Sequence, residues 1–185
     1  MAFTELKHPL IVDKVTRIRK KETCSKDFRE NLIEVSQLMV YEAFRDLDLK
    51  EVKIVTPVTS ATGAEIVTPI VLAPIMRAGL GMANGIQNLI PTAKVAHIGL
   101  YRDDEAYVIR EYYAKKTENI KEACVVVLDP VVATGRSAFT PGIKLIQDQH
   151  PDVDIYTASL DDHFILNGEI EPDLGDAGDR IFGTK

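Results

Sequence analysis

Only two cysteines, Cys24 and Cys124, occur in 185 residues. They match no metal-ligand spacing, and Cys124 lies within an apolar strand pattern. Neither a zinc site nor a disulfide framework is indicated, and a reduced, cytoplasmic setting is the expectation. No apolar run approaches the ~20 residues a membrane span requires, and the start Met1-Ala2-Phe3-Thr4-Glu5 is too polar for a signal peptide. An excess of positive charge is missing too. The 22 Lys and Arg stand against 28 Asp and Glu, a net of −6, which argues against a general nucleic-acid binder, because such proteins present a basic face. Walker A, HExxH, CxxC and nucleophile-elbow patterns are absent, and with them the chemistries those motifs carry. No internal repeat or low-complexity tract is visible. What is present, 45% hydrophobic and 27% charged residues, describes one ordinary globular domain large enough to bury a core.

Along the chain, His8-Pro9 leads into a short basic helix over 12–21. Ser25 stands where an N-cap would start a long amphipathic helix. Its apolar positions Phe28, Leu32, Val35, Met39, Ala43 and Leu47 step by three or four. Residues 52–57 and 65–69, flanking a polar turn with Gly63, predict a β-hairpin, peripheral because both strands carry proline. Such a hairpin suits an arm to a second subunit and equally an inert excursion. From Pro69 onward the pattern alternates: strands over 70–74, 94–100, 123–129 and 153–158, with a helix over 82–89. Continuous apolar strands alternating with helices predict an α/β fold with a parallel sheet covered on both faces. Ligands of such sheets bind at the carboxyl ends of the strands, and Arg77, Arg102 and Asp129 each lie just beyond one.

Four segments carry chemistry. The apolar run Val125-Val126-Val127-Leu128 ends in Asp129-Pro130-Val131-Val132-Ala133 and then Thr134-Gly135-Arg136-Ser137, opening a helix with Phe139, Ile143 and Leu145. Amides and hydroxyls at a helix start suit a phosphate, while a carboxylate before them accepts from sugar hydroxyls. Acid followed by cradle points to a ribose 5-phosphate. In Pro74-Ile75-Met76-Arg77-Ala78-Gly79-Leu80-Gly81, Arg77 can grip a diphosphate, or the glycines can serve tight strand–helix packing; a dinucleotide fingerprint fits poorly, since the spacing to its third glycine, Gly85, is one residue too long. Arg102, in Tyr101-Arg102-Asp103, offers a second fork of donors. Lys115-Lys116 read as a basic lid or a solvated charge run. Lastly, Gly175-Asp176-Ala177-Gly178-Asp179 makes a tight loop whose amides can face a flat heterocycle.

Together with Lys7-His8-Pro9-Leu10 and the string from Gly175 to Lys185, these stretches resemble the uracil phosphoribosyltransferases over nearly the whole chain. The resemblance implies the type I phosphoribosyltransferase fold, a parallel α/β core with a hood over the base. It divides the chain into N-terminal helices and hairpin arm (1–69), core (70–160) and base-binding hood (161–185). By the same resemblance, residues 129 to 137 hold the ribose 5-phosphate of phosphoribosyl diphosphate, and Arg77 and Arg102 its diphosphate. Ile170, Gly175, Asp176 and Ala177 hold uracil, largely through main-chain groups. Asp176 also faces the phosphoribosyl diphosphate, with Mg²⁺ carried in by that substrate. The implied reaction gives UMP and diphosphate, and the implied assembly is a homodimer or larger homo-oligomer with no nucleic-acid or membrane partner.

Three departures stand beside the resemblance. Arg136 replaces a usual glycine, and Glu169 and Glu171 flank Ile170 where the family carries a tyrosine before it. The family's further strand and helix ahead of Val153 have no counterpart, since Ile146 to Pro151 run straight through. Rival readings are a catalytically impaired binding module of the same fold, a phosphoribosyltransferase for another base and, at greater distance, a nicotinamide-dependent dehydrogenase.

Overall fold

A computed structural model describes residues 3–103, 108–118, 120–131, 140–160, 163–164, 170–171 and 174–184. The chain opens with a short strand β1 (Phe3–Glu5) and helix α1 (Pro9–Arg19). Pro9 occupies the first helical turn, where its missing N–H costs nothing, and His8 Nδ1 accepts from the Leu10 amide at 3.2 Å. The helix therefore starts three residues before the sequence reading. Helix α2 (Ser25–Ala43) is capped by Cys24 rather than Ser25, which is its first helical residue. Its face of Phe28, Leu32, Val35 and Val40 is buried, as the spacing predicts. Leu47 lies past the helix end yet still packs against the core.

Strands β2 (Leu49–Val55) and β3 (Ser60–Ile66) form the expected hairpin. Its turn, however, is Thr56 to Thr59, where the Thr56 hydroxyl receives the amides of Val58 and Thr59. Gly63 sits within β3 opposite Val52, and Pro57 and Pro69 fall outside both strands. The Asx-like side-chain turn at Thr56, not glycine, reverses the chain.

The main sheet is built on β4 (Ile70–Met76). After it come α3 (Gly79–Leu89), β5 (Lys94–Val95), β6 (His97–Asp103), β7 (Val108–Lys115) and β8 (Cys124–Leu128). β4 pairs in parallel with β5, β6 and β8, in register with Val95 on one edge and Val126 on the other at Leu72. The predicted strand over 94–100 is thus broken at Ala96, whose amide still bonds the Leu72 carbonyl at 2.8 Å. β7 runs antiparallel beside β6 and was not anticipated. Helix α4 (Thr140–Gln149) then leads to β9 (Ile155–Thr157), which pairs with β1 instead of the main sheet. Two-residue strands β10 (His163–Phe164) and β11 (Ile170–Glu171) form a small antiparallel pair, and α5 (Ala177–Phe182) closes the chain.

Helix α3 packs on one face of β4 and β8, α2 packs on α3 and α1 on α2, and Phe28, Leu32, Leu72, Ile86, Leu128 and Ile181 are buried in one cluster. Burial of a side chain of that size contributes roughly 1.5–3 kcal/mol each before the entropy cost of ordering. On the opposite face, among the described residues, Val71, Ala73 and Ala96 form a small cluster with Ile98, Ile120 and Ala123 packed against it. The α/β architecture with parallel strands and flanking helices is as the sequence implies.

Candidate active site

Two of the candidate residues follow neighbouring strands at the carboxyl edge of the sheet. Pro74 of β4 pairs with Leu128 of β8, so Asp129 follows one strand directly and Arg77 the other. The Met76–Arg77 peptide is cis. Between them α3 begins at Gly79, where a Cβ would stand 2.3 Å from the Leu128 carbonyl oxygen and 3.1 Å from Pro74. Only a residue without a side chain lets the helix start against both strands. Gly85 similarly faces the Ile33 backbone, 2.7 Å from its carbonyl oxygen. The glycines after β4 are packing residues, and Arg77 is left as the chemical group of that segment.

Asp129 is half-buried, and its Oδ1 accepts from the Val131 amide at 3.3 Å. Burial pushes its carboxyl up to about 6, and that amide pulls the other way. The acid stands at the polar corner of a cavity of about 150 Å³ lined by Phe28, Val35, Met39, Ile146 and Ile155. Pro130 and Val131 are half-buried beside it. Val132, Ala133, Thr134, Gly135, Arg136 and Ser137 lie outside the described residues, as does Phe139; α4 begins at Thr140.

Arg102 lies within β6, opposite Ile109 of β7, not beyond the strand end; its side chain is outside the described ones. The hairpin extends past the expected strand end because β7 pairs with it as far as Asp103. That pairing also sets Lys115 opposite His97, at the other end of β6 from Arg102. Five residues along a strand is about 17 Å, so Lys115 and Lys116 are an exposed charge run and not a lid at the sheet's carboxyl edge.

The C-terminal loop meets Arg77 directly. Arg77 Nη2 donates to Asp179 Oδ1 at 3.0 Å and Nη1 to the Thr184 hydroxyl at 3.1 Å, although more than a hundred residues separate them. Gly175 has φ +74, a conformation that favours glycine. Asp176 is exposed and caps α5, its Oδ1 accepting from the Asp179 amide at 2.8 Å. Ala177 is buried in the main core. The backbone of Ile170 pairs with Phe164; its side chain lies outside the described ones.

Residues beyond the sequence reading hold this loop. Arg180 donates to the carbonyls of Leu174 and Lys20, each at 2.7 Å, and stacks 4.5 Å from the centre of the Phe28 ring. Burial draws its pKa below the ordinary arginine value. Arg29 donates to the Ile181 carbonyl at 2.7 Å, and Ile181 itself is buried. The sequence signal available was Arg180 directly after the glycine-rich loop; Arg29 lies far away on α2, and the carbonyl partners of both carry no sequence signature. No three His, Cys, Asp or Glu side chains come together as a metal site among the described residues.

The uracil phosphoribosyltransferase family model matches residues 5–141 and 138–184. The chain belongs to that family. Relatives named uracil phosphoribosyltransferase from Mesoplasma florum and Mycoplasma capricolum are 56% identical over 207 positions, covering the whole of both chains. One from Clostridium botulinum is 45% identical over 98% of each chain. A solved protein of Aquifex aeolicus superposes with a TM-score of 0.90 at 30% identity, covering 100% of this chain and 99% of that one. By this membership the chain is a transferase with the phosphoribosyltransferase fold, and nothing in the comparisons favours the rival readings. An alignment of 207 positions that covers all 185 residues leaves at least 22 positions facing a gap here. The two stretches matched by the family model meet at 138–141, running into the first turn of α4, and not at Ile146 to Pro151 where the sequence reading places the seam.

Proposed function

We propose that the family reaction, transfer of the phosphoribosyl group from phosphoribosyl diphosphate to uracil with release of UMP and diphosphate, is run here at the shared edge of β4 and β8. One observation carries this reading: Arg77 leaves that edge one strand away from Asp129 and bonds the loop that follows Gly175. A phosphate-side cation, a sugar-side acid and a base-side loop thus meet in one neighbourhood.

Asp129 accepts from the ribose hydroxyls, and residues 130 to 137 receive the 5-phosphate. Arg77 and Arg102 take the diphosphate through their fixed forks of donors. As the bond from C1′ to diphosphate lengthens, positive charge grows on the ribose ring and negative charge on the leaving group. The arginines stabilise the second of these as it develops, the largest single effect available to such a site. Uracil is held by Ile170 and by the main chain of 175 to 177, which supplies orientation toward C1′. Asp176 stands beside the sugar. Mg²⁺ enters as part of the substrate and neutralises diphosphate charge. Excluding water keeps the activated sugar from hydrolysis.

The assembly proposed is a homodimer, with the hairpin of β2 and β3 as the arm. Val55 and Val58 are 85% and 92% exposed there, more apolar surface than a solitary ribbon needs to show. A reduced cytoplasmic setting fits two free thiols, and no helix among the described residues is long and apolar enough to cross a membrane. The deciding assay is UMP formation from labelled uracil and phosphoribosyl diphosphate, with and without Mg²⁺. Arg77→Ala should lower turnover by about a hundredfold or more while leaving uracil affinity nearly unchanged. Near-normal turnover in that variant overturns the assignment.

A further inference from the structure

We infer that Asp179, aided by Thr184, is a positioning residue that holds the Arg77 guanidinium ready for the diphosphate; this rests on the reading of Arg77 given above. The three groups form a closed triangle. Arg77 Nη2 donates to Asp179 Oδ1 at 3.0 Å, Nη1 donates to Thr184 Oγ1 at 3.1 Å, and the Thr184 hydroxyl donates to the same Asp179 oxygen at 2.6 Å. The hydroxyl thus accepts from the cation and donates to the anion, using both of its capacities.

Each corner is fixed from outside the triangle. Asp179 is held through its amide by Asp176 Oδ1 at 2.8 Å. Thr184 is turned back by Gly183, whose φ of +66 ends α5 and brings the amides of 183 and 184 to the Asp179 carbonyl at 2.7 and 3.3 Å. The guanidinium lies against Gly178, where a Cβ would stand 3.5 Å from Nη2. Two of the N–H groups on one edge of the fork are thereby committed. The others are left for anionic oxygens, and with Arg77 half-exposed at 51% those oxygens can reach them.

The arrangement answers a specific difficulty. An arginine at the end of a strand loses rotamer freedom when it binds an anion, and that cost falls on substrate affinity. A carboxylate that has already fixed the guanidinium removes the cost beforehand. Because Asp179 belongs to the same short helix as the base-side loop, the diphosphate grip and the base platform share one support. A pair this accessible adds little to folding, so the function and the fold can be separated by experiment.

The test measures UMP formation while varying each substrate in turn, in Asp179→Ala, Asp179→Asn, Thr184→Val, Arg77→Ala and the double variant Arg77→Ala/Asp179→Ala. Asp179→Ala should raise KM for phosphoribosyl diphosphate about tenfold and KM for uracil less than twofold. Asp179→Asn, which keeps an accepting oxygen, should recover part of the loss, and Thr184→Val should show a smaller effect of the same kind. Adding Asp179→Ala to Arg77→Ala should cost nothing further, because the first acts through the second. An unchanged KM for phosphoribosyl diphosphate in Asp179→Ala, an equal rise for both substrates, or additive losses in the double variant would each overturn the inference while leaving Arg77 as assigned. Normal kinetics in Arg77→Ala would instead remove the assignment of Arg77 and the inference with it.

Discussion

β4 and β8 are neighbours in perfect parallel register over five residue pairs, yet they live in different surroundings. β4 is flanked by strands on both edges, and its first five residues are buried. β8 has β4 as its one strand partner among the described residues, and Val125 and Val127 are 42% and 64% exposed. Among the described residues no strand continues the sheet past β8; β9 pairs with β1, and a cavity of about 150 Å³ is lined from both Asp129–Val131 and Ile155–Leu160. The two stretches matched by the family model meet close by, at 138–141, where α4 begins. One strand delivers Arg77 from a fully built frame. The other delivers Asp129 from the rim of a thinner one, so the two halves of the site should respond differently to perturbation.

The largest contrast is expected from the seam between them. Gly79→Ala would set a methyl 2.3 Å from the Leu128 carbonyl, forcing α3 off both strands. A loss of about 3 kcal/mol or more is expected, measured by denaturant unfolding. Next, Leu72→Ala on β4, fully buried, should cost about 2–5 kcal/mol, whereas Val127→Ala on β8 should cost about 0.5 kcal/mol or less. Equal losses would erase the distinction between the strands.

Asp129 offers a pH-resolved version of the comparison. Its folded carboxyl sits near 6 against an ordinary 3.8, so the folded protein binds this proton more tightly than the unfolded chain does. The stabilisation it gives is fully present below 3.8 and is lost as pH rises to about 6. Asp129→Asn should therefore stabilise the fold at pH 7.5 by about 1–3 kcal/mol while abolishing phosphoribosyl diphosphate binding. In the parent, activity should decline as pH falls through 6, because a neutral acid accepts more weakly from the ribose hydroxyls. Thermal melts and initial rates across pH 4–8 check both signs.

The smallest effect tests the gap. Inserting the extra residues of the Mesoplasma florum relative at 138–141 should protect Val125 and Val127 from solvent and raise Tm by a few degrees, roughly 4 °C per kcal/mol. Amide exchange at β8 should slow while that of β4 stays the same.

Much of this was legible in the sequence where one short stretch decides the outcome. The runs Ile70–Pro74 and Val125–Leu128 read as strands from their apolar content, though only the first is buried throughout, and Arg77 and Asp129 are the first charged residues after them. The buried face of α2 followed from its spacing. Features that depend on distant partners were not legible. The pairing of β1 with β9 joins residues about 150 apart, and the Arg77–Asp179 contact joins residues 102 apart. Neither has a local pattern. Local detail also failed where two residues competed for one job: Cys24 caps α2 although Ser25 has the better side chain, because the backbone leaves the extended region at Cys24. Gly63 lost the turn to Thr56, whose hydroxyl could satisfy the turn amides.

The grip of Arg180 on the carbonyl of Lys20, with Arg29 on that of Ile181, has a consequence for the order of events during synthesis. The turn joining α1 to α2 is made within the first tenth or so of the chain, but its Lys20 and Thr23 carbonyls wait for Arg180 near the other end. Contacts of such long sequence separation are the slow ones to form. The first two helices can gather early, yet they settle against their final neighbours only when the last turn of the chain arrives, and a ribosome-bound nascent chain lacking that turn should keep the Phe28 ring open to solvent.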